Sequence, residues 1–117
     1  MNERMEKGKV SKEIASDITN YIIRQRLWWK DEAVRSCVCM IKHGASYSVM
    51  HDICENECRY SIGRIQGYYQ MALYLDVISH DEYQKLLLDL NCMFDSDLII
   101  ESAINRKHCE DIAKEGK

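Results

Sequence analysis

The chain has 117 residues and a formal net charge of −3, with 46% hydrophobic and 30% charged residues. This composition is ordinary for a globular protein and excludes collagen-like, low-complexity and wholly disordered classes. No run approaches the ~18 apolar residues of a membrane span, and residues 1–13 lack the apolar core of a secretory signal. We therefore expect a single domain, residues 1–117, in the cytoplasm and away from membranes.

Charge is distributed unevenly along the chain. Residues 1–30 contain seven Lys or Arg and four Asp or Glu, a local charge of +3, whereas residues 31–117 contain nine and fifteen, a charge of −6. A basic segment attracts nucleic acid or acidic proteins, and an acidic body attracts basic surfaces. The six cysteines fall below the density of a disulfide scaffold and predict free thiols in a reducing compartment.

The first third of the chain predicts two helices. Apolar residues at helical spacing follow Ser11, which indicates a helix beginning there. The acidic pair Asp31 and Glu32 suits the start of a second helix, because carboxylates stabilise helix N-termini. Its apolar stripe ends at Gly44, a typical C-cap residue.

The middle of the chain predicts a long helix that Ser46 or Ser48 caps. Its pattern weakens at Ser61, Ile62 and Gly63, which allows a kink or a short break near Gly63 without requiring one. Gly63 and Gly67 lie four residues apart on one face, which indicates close approach of another backbone at some cost in helix propensity.

The last third predicts two further helices. Ser79 and Glu82 have the spacing of a capping box, in which each side chain satisfies a free amide of the other residue. Asp95 begins the final helix, and residues 1–10 and 114–117 are expected to fray. No alternating strand pattern or hairpin turn is visible. The fold class is therefore all-α, a bundle of about five or six helices.

Aromatic residues beside basic ones indicate a binding surface. Trp28 and Trp29 follow Arg24 and Arg26, and adjacent residues cannot share one helical face, so at least one indole is exposed. Arginine with tryptophan is typical of binding surfaces for proteins or bases. The alternative is that one indole closes the core while the basic side chains extend beside it.

A metal site is a second interpretation. His51, Cys54 and Cys58 fall on one helical sector, and imidazole and thiolate are zinc ligands. Three ligands stacked on one helix form an awkward tetrahedral set, however, and free cysteine is commonly buried in cores. A fourth ligand would come from another cysteine or histidine: Cys37, Cys39, His108 or Cys109.

A helix-turn-helix unit is a third interpretation, covering residues 34–57 with Gly44 in the turn. Its recognition helix would present Asp52 and Glu55. Carboxylates are repelled by phosphates, so this face argues against insertion into a DNA groove.

The stretch from Ile62 to Tyr83 reads I-G-x-I-x-G-Y-Y-x-x-A-L-x-L-x-V-I-S-x-x-E-Y. It resembles a pattern of one helix followed by a capped helix in small accessory proteins of bacterial prophages and mobile elements, anti-CRISPR inhibitors among them. The resemblance implies a protein that blocks host defence or regulates transcription, and it assigns no functional residues.

Sequence signatures of enzymes are missing: there is no phosphate loop, nucleophile elbow or zinc-protease motif. We expect a non-enzymatic inhibitor without a cofactor that binds a host protein or nucleoprotein effector, with an anti-CRISPR as the specific form. A DNA-binding regulator, a zinc-stabilised module and a homodimer remain alternatives. The candidate contact residues are Arg24, Arg26, Trp28, Trp29, Asp52, Glu55, Tyr68 and Tyr69.

Overall fold

The computed structural model describes residues 10–116, and these form four helices: α1 (Lys12–Lys42), α2 (Tyr47–Tyr74), α3 (His80–Met93) and α4 (Ser96–Glu115). The described residues contain no strand, so the all-α prediction is confirmed. Four helices are present rather than five or six. The fraying expected at residues 1–9 and 117 lies outside the described residues, and α4 stays helical to Glu115.

The break expected at the acidic pair is wrong, because α1 continues through it. Arg35, one turn further along α1, lies 3.8 Å from the Asp31 carboxylate and 3.2 Å from the Glu32 carboxylate. Arg106 of α4 donates a hydrogen bond to Asp31 at 2.9 Å. The acidic pair therefore forms ion pairs within α1 and with α4. The helix continues through this segment without a break.

The predicted starts of α1, α2, α3 and α4 agree with the structure. The N-cap side chain of each helix accepts a hydrogen bond from the amide three residues on. The Glu82 side chain also accepts from the Ser79 amide at 2.7 Å, which completes the capping box. Gly44 has φ +77° directly after the end of α1, a left-handed conformation that glycine adopts without strain. The four N-caps are Ser11, Ser46, Ser79 and Asp95.

Helices α1 and α2 form an antiparallel hairpin. Tyr21 near the start of α1 contacts Tyr68 near the end of α2, and Ser36 further along α1 contacts Glu57 further back in α2. Helix α4 packs against both helices of the hairpin, and α3 packs against α2. The hairpin is therefore the scaffold on which the two later helices rest.

All four helices contribute to one core, in which apolar side chains and three thiols are buried. Burial of apolar surface is the main favourable term in folding, at roughly 25 cal/mol per Å². The largest fully buried side chains are Cys37, Cys54, Ile65, Tyr69, Leu90, Ile99 and Ile100.

The close approach expected at Gly63 and Gly67 is wrong. Both glycines are exposed within an unbroken α2, and a methyl group placed at either one would meet no atom of another helix within 4 Å. No other described backbone approaches α2 at these two positions.

Replacing an exposed glycine inside a helix stabilises the protein when nothing opposes the added methyl group. We expect Gly63→Ala to raise the free energy of unfolding by about 0.5–1 kcal/mol, because alanine loses less backbone entropy. Urea unfolding followed by circular dichroism measures this difference. A loss of stability would show that another element does approach this face.

Two leucines of α3 provide a test of the core. Leu90 is 0% exposed and Leu88 is 70% exposed. We expect Leu90→Ala to lower the free energy of unfolding by about 2–5 kcal/mol, because it leaves a cavity. Leu88→Ala is the matched control and should change it by no more than about 0.5 kcal/mol. Similar losses for both variants in chemical denaturation would contradict the packing of α3.

Candidate functional site

An open groove of about 500 Å³ runs between α1 and α2. Its lining comes only from these two helices, so α3 and α4 leave this side of the hairpin uncovered. Two of the lining residues are acidic, and no lining residue carries a positive charge. The groove is lined by Trp28, Trp29, Glu32, Ala33, Ser36, Asn56, Glu57, Tyr60 and Ser61.

Aromatic rings form one wall of the groove. The Trp28 and Trp29 rings meet edge to face with centroids 5.0 Å apart, and the Trp29 ring lies 5.7 Å from that of Tyr60. The Arg64 guanidinium lies 5.3 Å from the Trp29 centroid and donates a hydrogen bond to the Tyr60 hydroxyl at 3.2 Å. The rings therefore already hold one guanidinium by cation–π attraction. Trp28 is 53% exposed and presents its own ring to solvent.

Two buried polar atoms of groove residues have no hydrogen-bond partner among the described residues. They are the indole Nε1 of Trp29 and the carboxylate Oε1 of Glu57. The other oxygen of Glu57 accepts from the Ser36 hydroxyl at 3.2 Å, which fixes the carboxylate in place. An unpaired buried polar atom costs about 1–3 kcal/mol. The indole N–H would need an acceptor and the carboxylate oxygen a donor, so no single kind of group pairs with both.

The aromatic surface continues from the groove toward the start of α1. The rings of Tyr21 and Tyr68 meet edge to face with centroids 5.5 Å apart. Their shared hydrogen bond raises the pKa of Tyr21 above its usual value, while the charges of Arg64 and Arg24 oppose that shift. Tyr21, Arg64 and Tyr68 therefore extend the aromatic wall, with Arg24 close by. We call the groove together with these residues the hairpin face.

The eight predicted contact residues do not lie on one surface: some lie on or near the hairpin face, one lies in the core and three lie elsewhere. Trp28, Trp29 and Tyr68 lie together on the hairpin face, and Arg24 lies near them. Tyr69, which is 1% exposed, lies in the core and offers no contact surface.

The remaining three predicted contacts lie apart from the hairpin face. The Arg26 guanidinium forms a 2.6 Å ion pair with Asp89 of α3 and has a structural role there. Asp52 is exposed on α2, and Glu55 pairs with Arg59 at 3.3 Å beside a different cleft. Three of the eight residues thus mark the groove or its aromatic extension directly.

The sequence analysis did not identify four residues of the hairpin face: Glu32, Glu57, Tyr60 and Arg64. The sequence pattern assigns Glu32 to a helix start and does not distinguish Glu57 from other carboxylates. A usable signal was present: Tyr60, Arg64 and Tyr68 recur every four residues and so share one face of α2.

The proposed zinc ligands do not converge. His51 lies 3.5 Å from Asp97, whereas Cys54 and Cys58 lie in the core with their sulfur atoms 4.0 Å apart. No group of three potential ligands with metal-binding geometry occurs among residues 10–116. The geometry therefore gives no support to a zinc-stabilised module.

Three buried thiols, those of Cys37, Cys54 and Cys58, instead lie in the core, and the sulfur atoms of Cys54 and Cys58 are in contact. The hydrogen bond between Cys37 and Cys54 lowers the pKa of Cys37 and, with burial, raises the pKa of Cys54 to about 12. The hydrogen bond with Cys54, together with burial, raises the pKa of Cys58. The three cysteine side chains therefore pack as small apolar groups in the core, away from solvent.

The arrangement of α1 and α2 can be compared with that of a DNA-binding helix-turn-helix unit. A helix-turn-helix unit places its two helices at about 90–120° to one another. Here α1 and α2 lie side by side along their length, and residues 34–57 are simply the closed end of the hairpin. The arrangement therefore does not present a separate recognition helix.

Comparison with family models, with curated proteins and with solved structures gave no match to this chain.

The reactivity of the six thiols tests the burial of Cys37, Cys54 and Cys58 in the core. Cys39, Cys92 and Cys109 are exposed, whereas Cys37, Cys54 and Cys58 are buried. We expect iodoacetamide at pH 8 to modify the exposed three first and the buried three only after addition of denaturant, because the thiolate must reach the reagent. Peptide mass spectrometry after timed quenching measures each rate. Equal rates in the native protein would contradict the buried cluster.

Proposed function

We propose that this protein is a non-enzymatic binding protein that docks onto a partner protein through the hairpin face. The observation that carries the proposal is the groove itself, which an exposed tryptophan and the half-buried carboxylate of Glu57 line on a side of the hairpin that α3 and α4 leave uncovered. Exposed aromatic residues around a concave site are typical of interaction hot spots.

The chemistry of the groove favours an arginine side chain of the partner. A guanidinium in the groove would be attracted by the negative charge of Glu57 and would stack on the exposed ring of Trp28. Glu32 supplies a second negative charge in the lining, although it also pairs with Arg35. Arg64 shows the same chemistry within the chain, since its guanidinium already lies against Trp29.

In its specific form, the proposal is a cytoplasmic inhibitor of phage or mobile-element type, with an anti-CRISPR as the leading example. Such an inhibitor would cover a basic surface by which a host nucleoprotein effector holds nucleic acid. Two observations support this form: the charge of −6 over residues 31–117 and a groove that suits arginine. Opposite charge speeds encounter between proteins and helps to select the partner.

The groove contains both tryptophans of the chain, so their fluorescence reports on its occupancy. We expect a hexa-arginine peptide to change this fluorescence saturably and to bind more tightly than a hexa-lysine peptide, because guanidinium stacks and forms paired hydrogen bonds. We expect Glu57→Gln to weaken arginine binding by at least about tenfold, since the charged acceptor is lost.

Two control variants separate the effect of Glu57→Gln on peptide binding from the effects of changing the net charge or the exposed apolar surface. Glu55→Gln removes a carboxylate outside the groove, and Leu27→Ala removes an exposed apolar side chain beside Trp28 that does not line it. Both should bind hexa-arginine as the wild type does. Equal affinity for the arginine and lysine peptides, or equal losses in Glu55→Gln and Glu57→Gln, would contradict the proposal.

The alternative of DNA binding gives a different result. A DNA-binding regulator would shift duplex DNA in a gel without any partner, and the shift would weaken strongly between 50 and 200 mM salt. We expect no such shift, because the groove lining is acidic and would repel phosphates. A salt-sensitive complex with duplex DNA would replace the present proposal.

A further inference from the structure

Two side chains at the end of α1 bring a thiol and an imidazole together on the protein surface. Cys39 lies in the last turn of α1, and His43 is the residue that caps the helix. Because they are four residues apart, their side chains lie on the same side of the helix. Both residues are exposed, unlike the thiols of the core. An ion in solution can therefore reach the pair.

The imidazole ring of His43 is turned toward Cys39. Its Nδ1 atom lies 3.8 Å from the Cys39 sulfur atom and 2.9 Å from the Cys39 carbonyl oxygen. Metal bonds of about 2.3 Å to sulfur and about 2.1 Å to nitrogen would place the two ligand atoms ~3.6 Å apart at a tetrahedral angle and ~4.4 Å apart in line. The observed separation lies between these limits, so both atoms can bind one ion without any change in the helix backbone.

The protons of the pair allow this exchange. With its proton on Nδ1, the neutral ring donates to the Cys39 carbonyl, whereas a proton on Nε2 leaves the Nδ1 lone pair facing residue 39. The carbonyl oxygen does not depend on the ring, because the His43 backbone amide also donates to it at 3.2 Å. Binding of an ion therefore releases the thiol proton to solvent and moves the imidazole proton from Nδ1 to Nε2.

The charge around Cys39 favours a monovalent ion. The thiol lines a cleft of about 370 Å³ between α1 and α4, together with three cations and one carboxylate, those of Arg35, Lys42, Arg106 and Glu110. The carboxylates that pair with the two arginines do not line this cleft. Exchange of the thiol proton for a monovalent ion leaves the charge of the pair unchanged, whereas a divalent ion would add a positive charge beside these cations.

We propose that Cys39 and His43 bind one copper(I) ion through the Cys39 thiolate and the Nδ1 atom of His43. Soft thiolate and imidazole ligands suit this monovalent ion. No third histidine, cysteine or carboxylate joins the pair in metal-binding geometry among residues 10–116, so the ion is one that two ligands can hold. The partial negative charge at the end of α1 also favours a cation. The site is independent of the hairpin face, because neither residue lines the groove.

A titration of copper(I) against the coloured chelator bicinchoninate tests this site. The parent protein is the full chain with Cys92→Ser and Cys109→Ser, in which Cys39 is the one exposed thiol among residues 10–116. With ascorbate and without oxygen, we expect each parent chain to withdraw one copper(I) ion from the chelator. Cys39→Ser should abolish this binding. His43→Ala should weaken it by at least about tenfold, since loss of a ligand costs no less than loss of its hydrogen-bond partner.

His108→Ala in the same parent is the matched control, because His108 is exposed and its neighbouring thiol has been removed; it should bind copper(I) as the parent does. Circular dichroism checks that the helices remain in each variant. In ¹⁵N nuclear magnetic resonance, we expect copper(I) to shift the Nδ1 signal of His43 while Nε2 carries the proton. Equal affinity in His43→Ala and the parent would overturn the proposal and assign the ion to the thiol alone. Two chains per ion in native mass spectrometry would overturn it as well.

Discussion

The lateral pairing of α1 with α2 is the constraint on which the rest of the structure depends. The left-handed turn at Gly44 and the cap at Ser46 reverse the chain, so that two helices of 31 and 28 residues pack along their length. This pairing leaves the hairpin with two sides. One supports α3 and α4 and generates the core, and the other remains open as the groove.

Buried polar atoms without partners among the described residues lie at two places beside the hairpin. At the groove, the Glu57 carboxylate oxygen accepts hydrogen bonds and the Trp29 indole N–H donates them, so a cation complements only the carboxylate. Beside α3, the Tyr69 hydroxyl and the Arg26 Nε–H both donate. Each unpaired buried group costs free energy, so the packing at both places is less stable than it would be with these groups paired.

The sequence predicted what depends on neighbouring residues and failed where distant residues decide. Capping at Ser11, Ser79 and Asp95 was correct because it needs only the next few residues. The break at Asp31 was wrong because acidic residues also occur inside helices, where Asp31 pairs with Arg35 one turn on and with Arg106 of α4, 75 residues away. For the same reason Tyr68 and Tyr69, adjacent in sequence, could not be separated into a surface residue and a core residue. Which side of a helix is covered depends on tertiary packing.

The division of the six cysteines into buried and exposed sets has a practical consequence for handling the protein. Three solvent-accessible thiols can be oxidised in air to disulfides between molecules, whereas the core thiols are shielded from this chemistry. Covalent oligomers that disappear on addition of a reductant would therefore arise from Cys39, Cys92 or Cys109. Only an association that persists under reducing conditions reports on non-covalent dimerisation.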